Sequence, residues 1–365
     1  MKTGILTFHA SHNYGSMLQA YALQTTIQKM GHECEIINLR TDVQKGLIPP
    51  EIIWRHPRAT LSKVLKHPER TFLLQKKYNR FEKFLNHDLC CSKELHNTDE
   101  VSNYISEANF DAIIVGSDQI WNVDCWDFDR SYVLDFNQDF RRIAYAPSLG
   151  SHPEKMSETN TELLKKCWKR FDYLSTREIR GSEYVEKLIG KECATVLDPT
   201  LLLSESDYYQ LCNDEPIIKT PYLFYYTPRE EEGTFAFALR YAQLYNLKIV
   251  VSQSHQEYIG NNIIRKLDCG PREFLNIVRH SVINIGNSFH LLAFSLIFHK
   301  EFIMLSKEED SRMLNILRPL GLEDRLMKPS CKRQSSFSLI DYTTIITKMV
   351  KLRISSFKFL SEALN

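Results

Sequence analysis

Residues 270–305, GPREFLNIVRHSVINIGNSFHLLAFSLIFHKEFIML, decide how this chain folds. Their spacing predicts a helix, a short apolar strand over 281–285, a polar turn, a second helix and another strand. The turn Gly286-Asn287-Ser288-Phe289-His290 therefore falls where a strand C-terminus meets a helix N-terminus. In an open α/β sheet, ligands bind outside that edge. A helix N-terminus there favours anions, and His290 can carry a proton near neutral pH. A hydrogen-bonded structural histidine is the competing reading of His290 taken alone.

Working outward, the same rhythm covers most of the chain. Residues 3–8 (TGILTF) read as a buried strand. Residues 16–30 carry apolar positions at helical spacing and stop at Gly31, and 34–39 (CEIINL) form the next strand. Strand, helix and strand in so short a span make a βαβ unit, hence a parallel sheet with a right-handed crossover. The pattern resumes with strands at 110–116, 143–147, 173–177 and 195–197, and helices near 161–170 and 181–189. A polar stretch, 204–219, separates the halves. The second half begins with a strand at 221–227, a helix at 231–245 and a strand at 248–253, and continues past the opening segment to a helix near 310–318. Residues 338–363 read as one or two amphipathic helices.

The expected fold is α/β: two Rossmann-like domains facing across a cleft, with C-terminal helices. The expected division is 1–203, with a helical insertion at about 40–108, then 204–330, then a helical segment 331–365. The insertion contains Pro49, Pro50, Pro57 and Pro68, followed by an amphipathic stretch near 71–85. Between positions 55 and 83 nine Lys and Arg residues face two acidic ones, Glu69 and Glu82. This is either a basic lip for a phosphorylated acceptor or an anionic membrane face, or a solvated helical insertion.

At 365 residues, the chain exceeds what one hydrophobic core usually spans, so two domains are expected. Lys plus Arg at 46 against Asp plus Glu at 45 leaves a net charge of +1. That balance exerts no global pull on nucleic acid, so any anion site must be local. Nine scattered cysteines, with no C-x-x-C, argue against a zinc site or a disulfide framework and for a reducing compartment. The N-terminus lacks the apolar core of a signal peptide, and no run approaches the ~18 apolar residues of a membrane span. A cytoplasmic protein is expected, with a peripheral contact at the inner face of the membrane through the basic insertion.

Three turns of the first half could carry chemistry. Asn13-Tyr14-Gly15-Ser16 lies between the first strand and its helix, where Gly15 permits close backbone approach. It is a ligand turn or a plain N-cap, being neither G-x-G-x-x-G nor a Walker sequence. Gly116-Ser117-Asp118-Gln119, with Trp121 beyond, follows the most apolar strand and reads as a sugar-binding turn, an apolar face with a few fixed polar groups. Arg177 closes a strand. Its guanidinium either grips a carboxylate or phosphate, or pairs with Glu178 or Glu183.

The order of these motifs resembles the polysaccharide pyruvyl transferase family. The resemblance rests on residues 13–23 (NYGSMLQAYAL), 111–122 (DAIIVGSDQIWN), 145–150 (YAPSLG), 175–181 (STREIRG), 198–202 (DPTLL), 270–274 (GPREF) and 287–290 (NSFH). It implies a GT-B-like fold and transfer of the pyruvyl unit of phosphoenolpyruvate onto sugar hydroxyls as a ketal, in surface or capsular polysaccharide biosynthesis. It implies an essential Arg late in the first domain, Arg177, and an essential His in the second, His290. Phosphoenolpyruvate is then a donor substrate, the acceptor a sugar or lipid-linked oligosaccharide, and neither cofactor nor metal is expected. The chain departs from the family pattern at two positions: Leu291 stands where a Gly commonly follows the His, and Ser288 where an Arg often precedes it by two. Lys307 and Arg312 are candidate replacements for that lost charge.

Two other functions stay open. A GT-B nucleotide-sugar glycosyltransferase would share the two-domain architecture and could use Glu273 as its acidic ribose ligand. A non-catalytic carbohydrate-binding descendant would explain the altered residues around His290.

Overall fold

The computed structural model describes residues 1–47, 49–53, 56–150, 152–331 and 338–365. In chain order the elements are β1 (Lys2–Leu6), α1 (Tyr14–Lys29), β2 (Glu33–Ile36), α2 (Asp42–Leu47), α3 (Pro57–Lys66), α4 (Pro68–His87), α5 (Thr98–Ala108), β3 (Ala112–Val115) and β4 (Arg141–Ala144). These are followed by α6 (Glu158–Trp168), β5 (Tyr173–Thr176), α7 (Ile179–Ile189), β6 (Ala194–Thr195), α8 (Glu205–Tyr208), β7 (Tyr222–Tyr226), α9 (Thr234–Leu244) and β8 (Lys248–Val251). The chain ends with β9 (Ile263–Arg265), α10 (Pro271–His280), β10 (Ile283–Gly286), α11 (Phe289–Ile297), β11 (Glu301–Leu305), α12 (Ser311–Leu320), β12 (Leu326–Met327) and α13 (Tyr342–Leu364).

Among the described residues the strands form two six-stranded sheets, β2-β1-β3-β4-β5-β6 and β12-β11-β10-β7-β8-β9. Every pairing is parallel. The central strands are continuous apolar runs, as a sheet covered on both faces requires. In each sheet strand order reverses once, between β1 and β3 in the first and between β7 and β10 in the second. The second sheet has the strand order of a dinucleotide-binding Rossmann domain, which places its ligand crevice at the reversal.

Two compact units result: Met1–Pro49, Leu85–Leu203 and Met349–Asn365 in one, Pro50–Phe84 and Ser204–Lys348 in the other. The first is built on a core of Leu6, Ile113, Val115, Trp121, Trp168 and Phe171 among others. The second packs Leu223, Tyr225, Ile249, Ile285, Ile303 and Leu305 against Phe237. α11 is buried along its whole length, which explains its apolar sequence on every face.

This division departs from the expected domain limits in two places. The supposed insertion at 40–108 is not one block. α5 buries Val101 and Ile105 and leads into β3, so it is a crossover helix of the first sheet. The stretch Pro50–Phe84 belongs to the second unit, because α4 carries Arg70 onto the Ser254 carbonyl and Arg80 onto Asp268 and Glu273. The C-terminal segment 331–365 is likewise not separate. Among its described residues it holds one helix, α13, whose Met349–Asn365 part joins the first unit through Arg353 to the Leu201 and Leu203 carbonyls and Ser356 to the Leu197 amide. Residues 332–337 of that segment lie outside the described residues. The edge strands β9 and β12, three and two residues long, left no periodicity to read.

Two glycines close the central strands. A Cβ on Gly116 would lie 1.9 Å from the Tyr145 carbonyl oxygen, and one on Gly286 would lie 1.9 Å from that of Tyr226. Substituting Ala at either position should destabilise its unit by at least about 1–3 kcal/mol through forced backbone shifts. Gly46 lies inside α2 with nothing within 4 Å of an added Cβ, so G46A should be neutral or stabilising by up to about 1 kcal/mol. Thermal unfolding of G116A, G286A and G46A would check this; unaltered melting of the first two would contradict the crowding.

Candidate functional site

Around the reversal point of the first sheet, the turns after β1 and β3 meet at the carboxyl edge. Asn13 caps α1 by accepting from the Gly15 amide at 2.9 Å, which sets Ser16 in the first turn. The Ser16 hydroxyl donates to Asp118 Oδ2, and Asp118 Oδ1 accepts from the Gln119 amide at 2.8 Å. Gln19, one turn into α1, locks both loops: its amide nitrogen donates to Thr7 Oγ1 and the Ser16 carbonyl, and its oxygen accepts from the Ser117 amide. Gly116, with φ 124°, and Asp118, with φ 68°, sit in left-handed backbone, as do His12, just before the first turn, and Ala146, whose carbonyl accepts from Ser117 Oγ. Such a concentration of uncommon conformations is characteristic of ligand turns.

Arg177 lies deeper. Its side chain is 3% exposed and pairs with Glu178 through Nε at 3.0 Å and with Asp198 through a terminal nitrogen at 3.0 Å. Burial opposes its charge, but these carboxylates and Asp118 outweigh it and hold its pKa above the usual range. Asp198 is fully buried and also accepts from Ser117 Oγ at 3.1 Å, Thr200 Oγ1 at 2.7 Å and the Thr200 amide. The Glu178 pairing anticipated in the sequence is therefore present, and Asp198 is a second anchor at the same distance. Sequence reading found it only as the first residue of DPTLL. Trp121 also differs from expectation. It is fully buried, donates to the Tyr132 carbonyl and packs on Trp168 and Phe171, so it is a core residue and no sugar platform. Tyr14 is buried as well.

A buried histidine, His9, carries no local signal in the sequence. His9 follows β1 and places Nδ1 3.0 Å from the Thr7 carbonyl and Nε2 2.8 Å from Asn38. Burial, the largest influence, lowers its pKa.

In the second unit the turns after β7, β10 and β11 are tied together. Asn287 donates to the Arg229 carbonyl at 2.8 Å and to Glu231 at 3.3 Å, while Glu231 accepts from the Lys307 amide at 3.2 Å. Ser288 caps α11 through the Leu291 amide. That sets Phe289 and His290 in the first turn, where helical N–H groups lack intrahelical acceptors. His290 is 9% exposed, with its ring edge-on to Phe289 at 5.3 Å. Leu291 is fully buried and approaches Gly286, so the departure from Gly at this position is absorbed by packing. The two candidate replacement cations are both engaged. Lys307 reaches Glu232 at 3.3 Å with half its side chain exposed, and Arg312 forks onto Asp310, the N-cap of α12. Arg312 and the capped backbone in turn hold Asp310 below the usual carboxylate range against its burial.

The loop between β7 and α9 carries Glu230, Glu231 and Glu232. Glu230 accepts four hydroxyls: Tyr225 at 2.7 Å, Tyr258 at 2.6 Å, Thr227 at 2.8 Å and Thr234 at 2.9 Å. Burial raises its pKa, but the hydroxyls together outweigh this and the net shift is downward.

Breaking the Arg177–Asp198 pair on one side should cost about 3–5 kcal/mol, because a buried charge is left behind. R177A and D198A should therefore melt well below the native protein, and any activity loss in them should accompany lost structure. A native melting curve for R177A would make that arginine a ligand group instead. For Glu230 the sign follows from the lowered pKa. The stabilisation it supplies is complete above its ordinary value of 4.5 and is lost as pH falls through the depressed folded value. The melting gap between native protein and E230Q should thus be wide at pH 7 and close in strong acid; a gap constant with pH would contradict it.

No curated protein matches this chain. Among solved structures it resembles the UDP-GlcNAc 2-epimerase of Methanocaldococcus jannaschii, with TM-score 0.51 and 10% identity over 98% of this chain and 100% of that one. It also resembles the UDP-GlcNAc 2-epimerase of Neisseria meningitidis, with TM-score 0.51 and 10% identity over 100% and 94%. Identity this low speaks for a shared fold of two Rossmann-like units. Residues 13–308 match the family described as polysaccharide pyruvyl transferase. With most of its length inside that match, the chain belongs to the polysaccharide pyruvyl transferase family.

Proposed function

We propose that this protein transfers the pyruvyl unit of phosphoenolpyruvate to two hydroxyls of a sugar, forming a pyruvate ketal during surface or capsular polysaccharide synthesis. The observation that carries this reading is His290 in the first turn of α11, at the carboxyl edge beside the reversal of the second sheet. A small polyanion suits that helix terminus, and an imidazole there can move protons near neutral pH.

In the reaction, the donor's methylene carbon takes a proton, and the adjacent carbon becomes oxocarbenium-like. One sugar oxygen bonds to that carbon, its bond to the phosphate oxygen breaks, and a second sugar oxygen closes the ring. Of the two hydroxyl protons, one ends on the new methyl group and the other on phosphate. His290 is assigned the proton transfer, a role worth roughly 10²–10⁴-fold in rate. The α11 terminus and Lys307 are assigned to the donor's charge. In the first unit taken by itself, Arg177 is assigned to holding the Gly116–Gln119 turn through Asp198, and Ser16, Asp118 and Gln119 to hydroxyls of a sugar. No cofactor enters this scheme.

The nucleotide-sugar glycosyltransferase reading has less support. In that strand order a diphosphate would approach the α9 N-terminus, where Glu230, Glu231 and Glu232 repel it. Glu273, its candidate ribose ligand, accepts from the Gly270 amide and from Arg80. For the acceptor, a lipid-linked oligosaccharide fits the basic insertion. On α3, Leu61 and Leu65 are 58% and 73% exposed beside Arg58, Lys63 and Lys66, which suits peripheral contact with an anionic membrane at the inner, cytoplasmic face. No described helix is long and apolar enough to cross a membrane.

Incubation with phosphoenolpyruvate and a panel of sugar acceptors should release phosphate and add a pyruvyl group detectable by mass. H290A should lose at least about 10²-fold of that rate while melting like the native protein. Undiminished transfer by H290A would remove the assignment. No transfer to any acceptor by the native protein would favour a non-catalytic carbohydrate-binding role.

A further inference from the structure

A cleft of about 350 Å³ opens at the amino edge of the second sheet, opposite the rim that carries the His290 turn. Its lining includes Leu247, just before β8, Val282 and Ile283 at the start of β10, and Glu301 at the start of β11. The whole lining belongs to the second unit. Small-molecule sites commonly enclose about 300–1,000 Å³, so this volume admits a single ring. Strands of four and five residues, at about 3.3 Å per residue, separate the two edges by roughly 13–17 Å. A small ligand here therefore stays clear of the His290 turn.

One wall is aromatic. Tyr241 and Tyr245 lie four residues apart at the end of α9, which sets them on one face. Their rings pack with centroids 4.5 Å apart, and Tyr245 is 46% exposed. Burial, with Tyr245 and Glu301 nearby, pushes the Tyr241 hydroxyl up to about 12, so it stays neutral. The other end is an ion pair, Glu301 to Arg325 at 2.7 Å. That pair also pins the passing chain. Arg325 donates to the Ser338 carbonyl at 2.5 Å, and Glu301 Oε1 accepts from the Ile340 amide at 2.8 Å. Leu339, held between those two bonds, is 83% exposed and lines the cleft. Exposed Tyr245, Val282 and Leu339 thus border one opening, an apolar rim around a polar end.

The chemistry of this lining separates three kinds of occupant. A hydrocarbon would cover the rim but strip water from Glu301 and the phenols without returning hydrogen bonds. An anion would meet Glu301, and the Arg325 charge is already balanced by that carboxylate. A neutral sugar turns C–H groups toward the rim and hydroxyls toward the polar end. The Glu301 side chain keeps 23% of its surface exposed, so acceptor positions beyond the two bonds above still face outward. We infer that this cleft binds an uncharged sugar ring, packed against Tyr245 and donating hydroxyls to Glu301. As a binding site it stands without the pyruvyl transfer reading; its use, to retain a second sugar of a long acceptor, rests on that reading.

The methyl glycosides of glucose, galactose and mannose are the probes, with glucuronate and cyclohexanol as anionic and apolar comparisons. They are titrated by calorimetry into native protein, Y245A, V282W, E301Q and H290A. At least one glycoside should bind saturably and at least fivefold more tightly than glucuronate or cyclohexanol. Y245A removes the exposed ring and V282W fills the opening, and each should weaken that glycoside at least fivefold. E301Q should weaken it as well. Should E301Q unfold the unit by releasing Arg325, the solvent-facing positions 245 and 282 still carry the test. H290A should bind like the native protein. Lack of saturable binding by any glycoside, tighter binding of glucuronate or cyclohexanol, or native binding by Y245A and V282W would each overturn the proposal. Absence of pyruvyl transfer alongside binding that Y245A weakens would strike the catalytic reading and leave this site standing.

Discussion

Close approach of a backbone carbonyl to the end of each central strand is the constraint on which the two edges depend. Gly116 and Gly286 close β3 and β10, and each lies where a neighbouring strand's oxygen leaves no room for a side chain. The chain can then turn out of the sheet immediately, and the next residues are polar because they face the edge rather than the core. Ser117 and Asp118 emerge in one unit, Asn287 and Ser288 in the other. A larger residue at either glycine would push the strand end away from its neighbour and swing the following turn with it. The position of a helix N-terminus such as that of α11 is therefore set by the absence of one methyl group.

Polar anchoring finishes what the glycines begin. In the first unit Asp198 gathers Ser117, Thr200 and Arg177, so a fully buried carboxylate is saturated with donors and the guanidinium beside it has its counter-charge. In the second, Glu231 links the Asn287 side chain to the Lys307 amide, and so binds the turns after three strands. Both carboxylates arrange other groups. This division of labour explains why a strongly charged residue such as Arg177, though it closes a strand at the ligand edge, spends its charge inside the protein.

Much of this was legible in the sequence because hydrophobic periodicity reports burial directly. The apolar runs of β3, β7 and β10, and the polar turns after them, follow from strands covered on both faces. The His290 turn was readable because strand, turn and helix sit within one short segment. What stayed hidden depended on long-range pairing. Nothing local distinguishes Trp121, a core residue beside Trp168, from a tryptophan stacked on a sugar. Nothing local ties Arg177 to Asp198, 21 residues away. The basic character of α4 was plain, but its attachment to the second unit rests on Asp268, Glu273 and Ser254, nearly two hundred positions later. Edge strands of two or three residues have no period to detect.

The acidic loop after β7 sets the second unit apart in charge from the dinucleotide-binding domains whose strand order it shares. In those domains the first helix N-terminus receives a pyrophosphate beside a glycine-rich turn. Here that position carries three successive glutamates, one held ionised by four hydroxyls and two engaged by Asn287 and Lys307. On the proposed reading, an anion turned away from α9 meets its favourable terminus at α11, which follows β10, the strand beside β7, and has no acidic side chain in its first turn. Glu230 also orients Tyr258 and, through it, Gln253. On the proposed reading, the charge of this single loop is what turns a sheet of unchanged strand order from nucleotide recognition toward a smaller donor.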